Sequence, residues 1–110
     1  MKMIIKVFFA GALVAHAVLA MAADDEIKVT LKDHRFSPAE IRVPAGARAK
    51  LSITNQDATV EEFESHTLNR EKLIRPGQTV MIPLPALAPG RYDFFGEFNP
   101  ETAKGQIIVE

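Results

Sequence analysis

Residues 47–54 read ARAKLSIT, the most regular stretch of the chain, because apolar and polar side chains alternate through all of it. A period of two places Leu51 and Ile53 on one face of a β-strand and the polar residues between them on the other. Residues 27–32 alternate in the same way, and Val80, Ile82 and Leu84 share one face of a further strand. One face of each of these strands is therefore expected to be buried.

Turn-forming sequences divide the rest of the chain into further short β segments. The turns are predicted at residues 37–38, 44–46, 55–57, 76–77 and 89–90. Additional strands are predicted at residues 41–43, 60–65, 92–95 and 106–109. Phe63 is expected to point inward, and Pro83 is typical of an edge strand or a strand end. The segment from His66 to Arg75 is expected to include a helical turn.

Seven or eight short strands separated by turns predict an all-β fold, an antiparallel Greek-key β-sandwich in which two sheets bury their apolar faces against each other. An immunoglobulin-like sandwich fits the same pattern equally well. The sequence contains no cysteine, so the fold depends on packing without disulfides. Thiol catalysis, zinc–thiolate sites and iron–sulfur clusters are excluded for the same reason.

The start of the chain has the features of a secretory signal peptide. Two lysines precede an apolar run at residues 7–19, and Ala-Met-Ala at residues 20–22 supplies a small-x-small cleavage pattern. A membrane anchor is the alternative, but the run is short for spanning a bilayer. We therefore expect a helical signal peptide at residues 1–22 and an exported, periplasmic domain at residues 23–110 with no stable membrane insertion.

Charge and motifs exclude two broad classes of function. The chain has 13 basic and 14 acidic side chains and no polybasic stretch, so nucleic-acid binding is not expected. Ser65 and His66 are adjacent, but neighbouring residues of a strand point to opposite faces, and nothing marks an acid that would orient the histidine. A hydrolase is therefore not expected.

Three stretches resemble bacterial cupredoxin domains and together cover nearly all of residues 23–110. FSPAEIRVPAG at residues 36–46 resembles the opening of these domains. PGRYDFF at residues 89–95 resembles the strand that leads to the copper-binding cysteine, and GQIIV at residues 105–109 resembles the last strand. The resemblance implies a cupredoxin-like sandwich.

The residues that bind blue copper in such domains are absent from this chain. By the resemblance, the cysteine position falls on Gly96, and the later histidine and methionine positions fall on Asn99 and Ala103. The upstream histidine position falls on Glu61 or Glu62. A blue site requires a thiolate and two imidazoles, so neither blue copper nor a role as an electron carrier is expected.

Other motifs resemble a subgroup of cupredoxin-like proteins from bacterial high-affinity iron uptake. The matching residues are EEFES at 61–65, Leu68, Glu-Lys at 71–72, Pro-Gly at 76–77 and GEFNPETA at 96–103. This resemblance implies a role in ferrous-iron uptake, with a periplasmic iron-binding protein and an inner-membrane iron permease as partners. It also implies copper-assisted oxidation of iron, a ferroxidase role, as the enzymatic form of that function.

Glu62, Glu64 and His66 are the first candidates for metal ligands. If Phe63 points inward, these three side chains share the opposite face of the strand and repeat about every 7 Å. Glu97 follows the lost cysteine position and is expected at the same end of the sandwich. Carboxylates with an imidazole suit copper or iron as the bound metal without a thiolate. The alternatives are a solvated polar face and, for the whole protein, a metal-free interaction module of a periplasmic transport complex.

Three other residues are assigned structural roles. Glu61 shares the face of Phe63 and is expected to be a charge at the rim rather than a ligand. Met81 could act as a weak soft ligand but is expected to be a packing residue. His34 is expected to be a turn residue.

Overall fold

The computed structural model describes residues 25–110, and the predicted signal peptide at residues 1–22 lies outside this range. The described strands, in chain order, are β1 Asp25–Lys32, β2 Arg35–Ser37, β3 Glu40–Val43, β4 Ala49–Asn55, β5 Glu61–Ser65, β6 Arg70–Ile74, β7 Thr79–Leu84, β8 Gly90–Gly96 and β9 Lys104–Val109. No helix in this part of the chain is long and apolar enough to cross a membrane.

The strands form two sheets that pack as a sandwich. One sheet has the order β2-β1-β4-β7 and the other the order β3-β9-β8-β5-β6. The predicted all-β sandwich is therefore confirmed, but the expectation of purely antiparallel sheets is wrong. β1 runs parallel to β4, with Ile27 opposite Leu51, and β3 runs parallel to β9, with Ile41 opposite Ile107. Alternation reports which face is buried and carries no information on strand direction.

The core lies between the sheets and is built from the apolar residues of the alternating strands. Leu51 and Ile53 are fully buried, as their pattern predicts. Three aromatic rings fill the centre. Phe63 stacks on Phe94 with ring centres 5.2 Å apart. Phe36 meets these rings edge-on, with its ring centre 5.2 Å from that of Phe94 and 6.3 Å from that of Phe63. Such edge and offset contacts are the preferred geometries of aromatic pairs. Phe63 therefore points inward as predicted.

Two local expectations are corrected by the structure. Residues 35–37, which showed no alternation, form β2 against the end of β1, with Thr30 opposite Ser37. The segment from His66 to Arg75 contains a tight turn and β6 instead of a helical turn. β6 is an edge strand in which Ile74 is buried while Leu73 is exposed, so its sequence lacks the alternation of an inner strand.

Buried polar side chains fix β5, the strand that carries the candidate ligands. Before its start, the side-chain amide of Asn55 at the end of β4 donates to the carbonyl oxygens of Thr59 and of Ile74 on β6, both at 2.9 Å. At its end, the Ser65 hydroxyl donates to the carbonyl of Asp93 on β8 at 2.6 Å. β5 lies between β8 and β6, so both of its edges are paired. The side chains of β5 are therefore held on a rigid element.

Candidate metal centre

The glutamates of β5 divide between the two faces of the sheet. Glu61, Phe63 and Ser65 point into the sandwich and are buried, whereas Glu62 and Glu64 point outward and are half-buried. This division follows from the two-residue period of a strand. Neighbouring carboxylates therefore have very different surroundings.

The outward glutamates meet Glu97 at the edge of the sandwich. The Glu97 amide donates to the carbonyl of Glu62 at 2.8 Å, which brings the start of the β8–β9 loop (residues 97–103) beside β5. Oxygen atoms from Glu62, Glu64 and Glu97 all lie within 4.8 Å of one another. We call these three residues the outer carboxylate cluster. Small rotations of the side chains would bring the three oxygens to coordinating distance of one ion, because metal–carboxylate bonds are about 2.0–2.6 Å long.

A fourth carboxylate contributes to the electrostatics of the outer carboxylate cluster. Glu71 lies directly opposite Glu64 in the β5–β6 register. The pKa of Glu64 is raised, first because burial disfavours its charged form and then because Glu71 hydrogen-bonds to it and repels its charge. Nearby His66 acts in the opposite direction. A cation placed here would relieve this repulsion.

His66 lies beside the outer carboxylate cluster rather than inside it. Its Nδ1 atom is 3.8 Å from a Glu64 oxygen, its ring centre is 5.5 Å from that of Phe95, and its side chain is 79% exposed. It is not one of the group whose ligand atoms lie within 4.8 Å of one another. The structure therefore brings together three of the four predicted ligands and leaves the imidazole at the margin, where it can reach Glu64.

Glu61 forms a separate, interior arrangement. Its Oε1 atom accepts hydrogen bonds from the amides of Glu62 at 2.9 Å and Phe98 at 2.8 Å, and its Oε2 atom accepts one from the Asn99 side chain at 2.9 Å. Only 2% of the residue is exposed, so its assignment as a rim charge is wrong. The face it shares with Phe63 is covered at this end by the β8–β9 loop.

The interior residues do not fit a blue copper ion. A Cβ atom on Gly96 would lie 2.6 Å from the Glu61 carboxyl carbon and 2.9 Å from the Cβ of Ala103. The four positions at which blue copper ligands are expected thus lie close together, but none carries a thiolate or an imidazole, and a carboxylate fills the space between them. A thiolate–imidazole centre needs both ligand types, so we derive no chemistry through blue copper.

The family model for the cupredoxin-like domain matches residues 3–109 of this chain. The chain belongs to the cupredoxin-like family. An uncharacterized protein of Rickettsia prowazekii (strain Madrid E) is 49% identical over 84 residues, which are 76% of this chain and 67% of that protein.

Solved structures of copper proteins share the fold. Auracyanin A, a blue copper protein from Chloroflexus aurantiacus, matches with a TM-score of 0.69 and 15% identity over 80% of this chain and 100% of its own. The metal-binding domain of a Cu(I)-exporting P-type ATPase from Streptococcus pneumoniae, solved with Cu(I), matches with a TM-score of 0.69 and 17% identity over 77% and 84% of the two chains. At these identities the likeness concerns the fold alone.

The remaining sequence candidates of this cupredoxin-like domain lie elsewhere. His34 occupies the β1–β2 turn with a positive φ of 58°, and its amide donates to Asp57 at 2.9 Å, so its turn role is confirmed. Met81 lies on β7 in the other sheet and is 43% exposed, so it is not a packing residue of the core.

Two contributions were missed by sequence reasoning. Glu71 was not assigned a role at the site because its segment was expected to include a helical turn, and its place opposite Glu64 follows from the pairing of β6 with β5. The hydrogen bonds of Glu61 depend on the path of the β8–β9 loop, although its shared face with Phe63 was a signal of burial. Both misses concern contacts between strands or loops whose pairing the sequence of either segment does not specify.

Proposed function

We propose that this protein is an exported, cupredoxin-like metal-binding accessory protein of ferrous-iron uptake, with Cu(II) or iron bound at the outer carboxylate cluster. The observation that carries the proposal is the convergence of Glu62, Glu64 and Glu97 within 4.8 Å. Three negative side chains on one small surface repel one another, and a cation removes that repulsion. The cluster lies at the end of the sandwich where relatives with blue copper bind their metal.

The donor types support copper or iron within that cluster. Carboxylate oxygens bind hard cations, and an imidazole adds preference for copper and iron over calcium and magnesium. The His66 nitrogen lies 3.8 Å from Glu64, so a rotation of its exposed side chain would let it complete a mixed oxygen and nitrogen site. Binding requires the ligands to be deprotonated, so affinity falls as pH decreases.

The role in iron uptake rests on the resemblance of the EEFES and GEFNPETA segments to that subgroup. In this role the domain binds iron beside a periplasmic iron-binding protein and an inner-membrane permease. It either hands the ion over or, with bound copper, supports the oxidation of Fe(II) by Cu(II). Export is tested by the intact mass of the purified product. The mass should correspond to a chain that begins at Ala23, and retention of residues 1–22 in a membrane fraction would contradict export.

Calorimetric titration of the exported protein with Cu(II) and with Fe(II) tests the proposed site. The double variant E62Q/E64Q keeps the shape of both side chains and should abolish tight binding. The variant E40Q/E101Q removes two exposed carboxylates outside the outer carboxylate cluster and should bind like the wild type, although its net charge changes equally. Wild-type affinity should fall as pH decreases, because each ligand must be deprotonated to bind and the pKa of Glu64 is raised.

Equal affinities of the wild type and E62Q/E64Q would remove the site from consideration. In that case binding would be adventitious, and the metal-free interaction module would be the better interpretation. If E40Q/E101Q lost binding to the same extent, net charge rather than the three converging carboxylates would be responsible. Either outcome would contradict the proposal.

A further inference from the structure

We propose that the buried carboxylate of Glu61 takes the structural place of a metal ion inside this domain, where it holds the β8–β9 loop and positions Glu97. The loop surrounds the place where relatives with blue copper have their ligands. In this chain an anion occupies the centre, and hydrogen-bond donors point toward it. The domain therefore carries its own internal cross-link between β5 and the β8–β9 loop.

The first support is the number and direction of the donors. Two backbone amides and one side-chain amide point at the two oxygens of Glu61, at 2.8–2.9 Å. Both oxygens accept, as those of an ionised carboxylate do. Hydrogen bonds to a charged acceptor are about twice as strong as neutral ones. A group with this set of partners cross-links β5 to the β8–β9 loop, as an ion coordinated by both segments would.

The second support is the space around the carboxylate. Gly96 has no side chain, and any Cβ there would lie 2.6 Å from the Glu61 carboxyl carbon. Ala103, also fully buried, closes the other side with a methyl group. Asn99 presents an amide donor at the position expected for a histidine ligand. The small residues and the donor are thus complementary to a carboxylate in the centre.

The third support is the set of hydrogen bonds that hold the loop backbone on both sides of Glu97. The Gly96 amide donates to the carbonyl of Ala103 at 2.7 Å, and the Ala103 amide donates to the carbonyl of Asn99 at 2.8 Å. The Phe98 amide is held by Glu61. Glu97 therefore projects from a backbone fixed immediately before and after it. Glu61 is therefore a positioning residue for the outer carboxylate cluster. Its effect on metal binding through Glu97 rests on the proposed function.

The test is amide hydrogen exchange of Phe98 and Glu62, measured by NMR on the exported protein in chelator, with the variant E61Q and its matched control E101Q. Glu101 lies exposed in the same loop, so both variants lose one charge from the same region. E61Q replaces a charged acceptor by a neutral one and should speed exchange at both amides by about tenfold. E101Q should match the wild type. E61L, which has no acceptor, should give about 10- to 100-fold faster exchange.

Equal exchange at Phe98 in E61Q and E101Q would overturn the proposal, even if E61L fails to fold. Protection of Phe98 in the wild type that appears only after a metal is added would overturn it too. Cu(II) affinity provides a separate measurement: E61Q should bind about tenfold more weakly, the usual effect of losing a group that orients a ligand. The exchange result is obtained without metal, so it stands or fails independently of the outer metal site.

Discussion

Glu61 and Glu62 are neighbours in one strand, yet their carboxylates lie in opposite environments. The carboxylate of Glu61 is buried and surrounded by hydrogen-bond donors. The carboxylate of Glu62 is half-buried on the other face and lies among carboxylates of Glu64 and Glu97. An anion among donors is satisfied and stabilises the fold, whereas an anion among anions needs a cation. The comparison separates a structural glutamate from candidate ligands of the same type.

The comparison also shows how this cupredoxin-like domain fills its interior without blue copper ligands. The interior is closed by Glu61 and by the small residues Gly96 and Ala103. The metal binding that we propose is on the exterior of the same sheet. The largest effects of substitution on stability are expected in the interior, and the largest effects on metal affinity on the outer face.

The strongest interior effect is expected for Phe94→Ala, because Phe94 is 1% exposed and contacts both Phe36 and Phe63. The unfolding free energy should fall by about 3–5 kcal/mol, the usual range for truncating a buried aromatic side chain. Denaturant unfolding measures it. The control is E62Q/E64Q on the opposite face, which should stay within about 0.5 kcal/mol of the wild type. If Phe94→Ala unfolded at the wild-type midpoint, the assignment of the interior would be wrong.

A smaller interior effect is expected for Gly96→Ala. The added methyl group would approach Glu61 and Ala103 too closely, and the loop would have to move. The unfolding free energy should fall by about 1–3 kcal/mol, as for overpacking elsewhere. Thermal and denaturant unfolding check this. Unchanged stability would mean that the space beside Glu61 is open, which would weaken the contrast between interior and exterior.

The smallest expected effect is electrostatic and lies on the outer face. Glu71→Gln removes a negative neighbour of Glu64 and should lower the pKa of Glu64 toward its ordinary value of 4.5, as measured by NMR titration of the side chain. A folded-state pKa above the unfolded one stabilises the protein at low pH. This contribution is fully present below about pH 4.5 and is lost as pH rises through the raised pKa. An unchanged pKa in the variant would show that Glu71 does not contribute to the shift.

Much of the sandwich could be predicted because alternation reports burial directly. Leu51, Ile53 and Phe63 were assigned to the core from their spacing alone, and the structure agrees. The parallel pairing of β1 with β4 could not be predicted, because a strand's own sequence does not specify its neighbour. β6 was missed because Ile74 alone of its five residues is fully buried, so its sequence shows no alternation of apolar and polar side chains.

The candidate site, like the fold, could be predicted only in part. The shared face of Glu62 and Glu64 follows from the period of a strand, so it needed no knowledge of the fold. The cupredoxin resemblance placed Glu97 at the same end of the sandwich, but its approach to Glu62 depends on the pairing of β8 with β5, which only the structure shows. The hydrogen bonds that Glu61 accepts depend on which loop covers the end of the sandwich. The sequence of β5 does not specify that loop, so these bonds could not be predicted.

The most direct test of the division between interior and exterior is a crystal structure of the protein soaked with Cu(II), with anomalous diffraction used to locate the ion. We predict an anomalous peak on the outer face, within bonding distance of at least two of Glu62, Glu64 and Glu97, while Glu61 keeps its hydrogen bonds to Phe98 and Asn99. A peak in the interior, between Glu61, Gly96 and Asn99, would contradict the account.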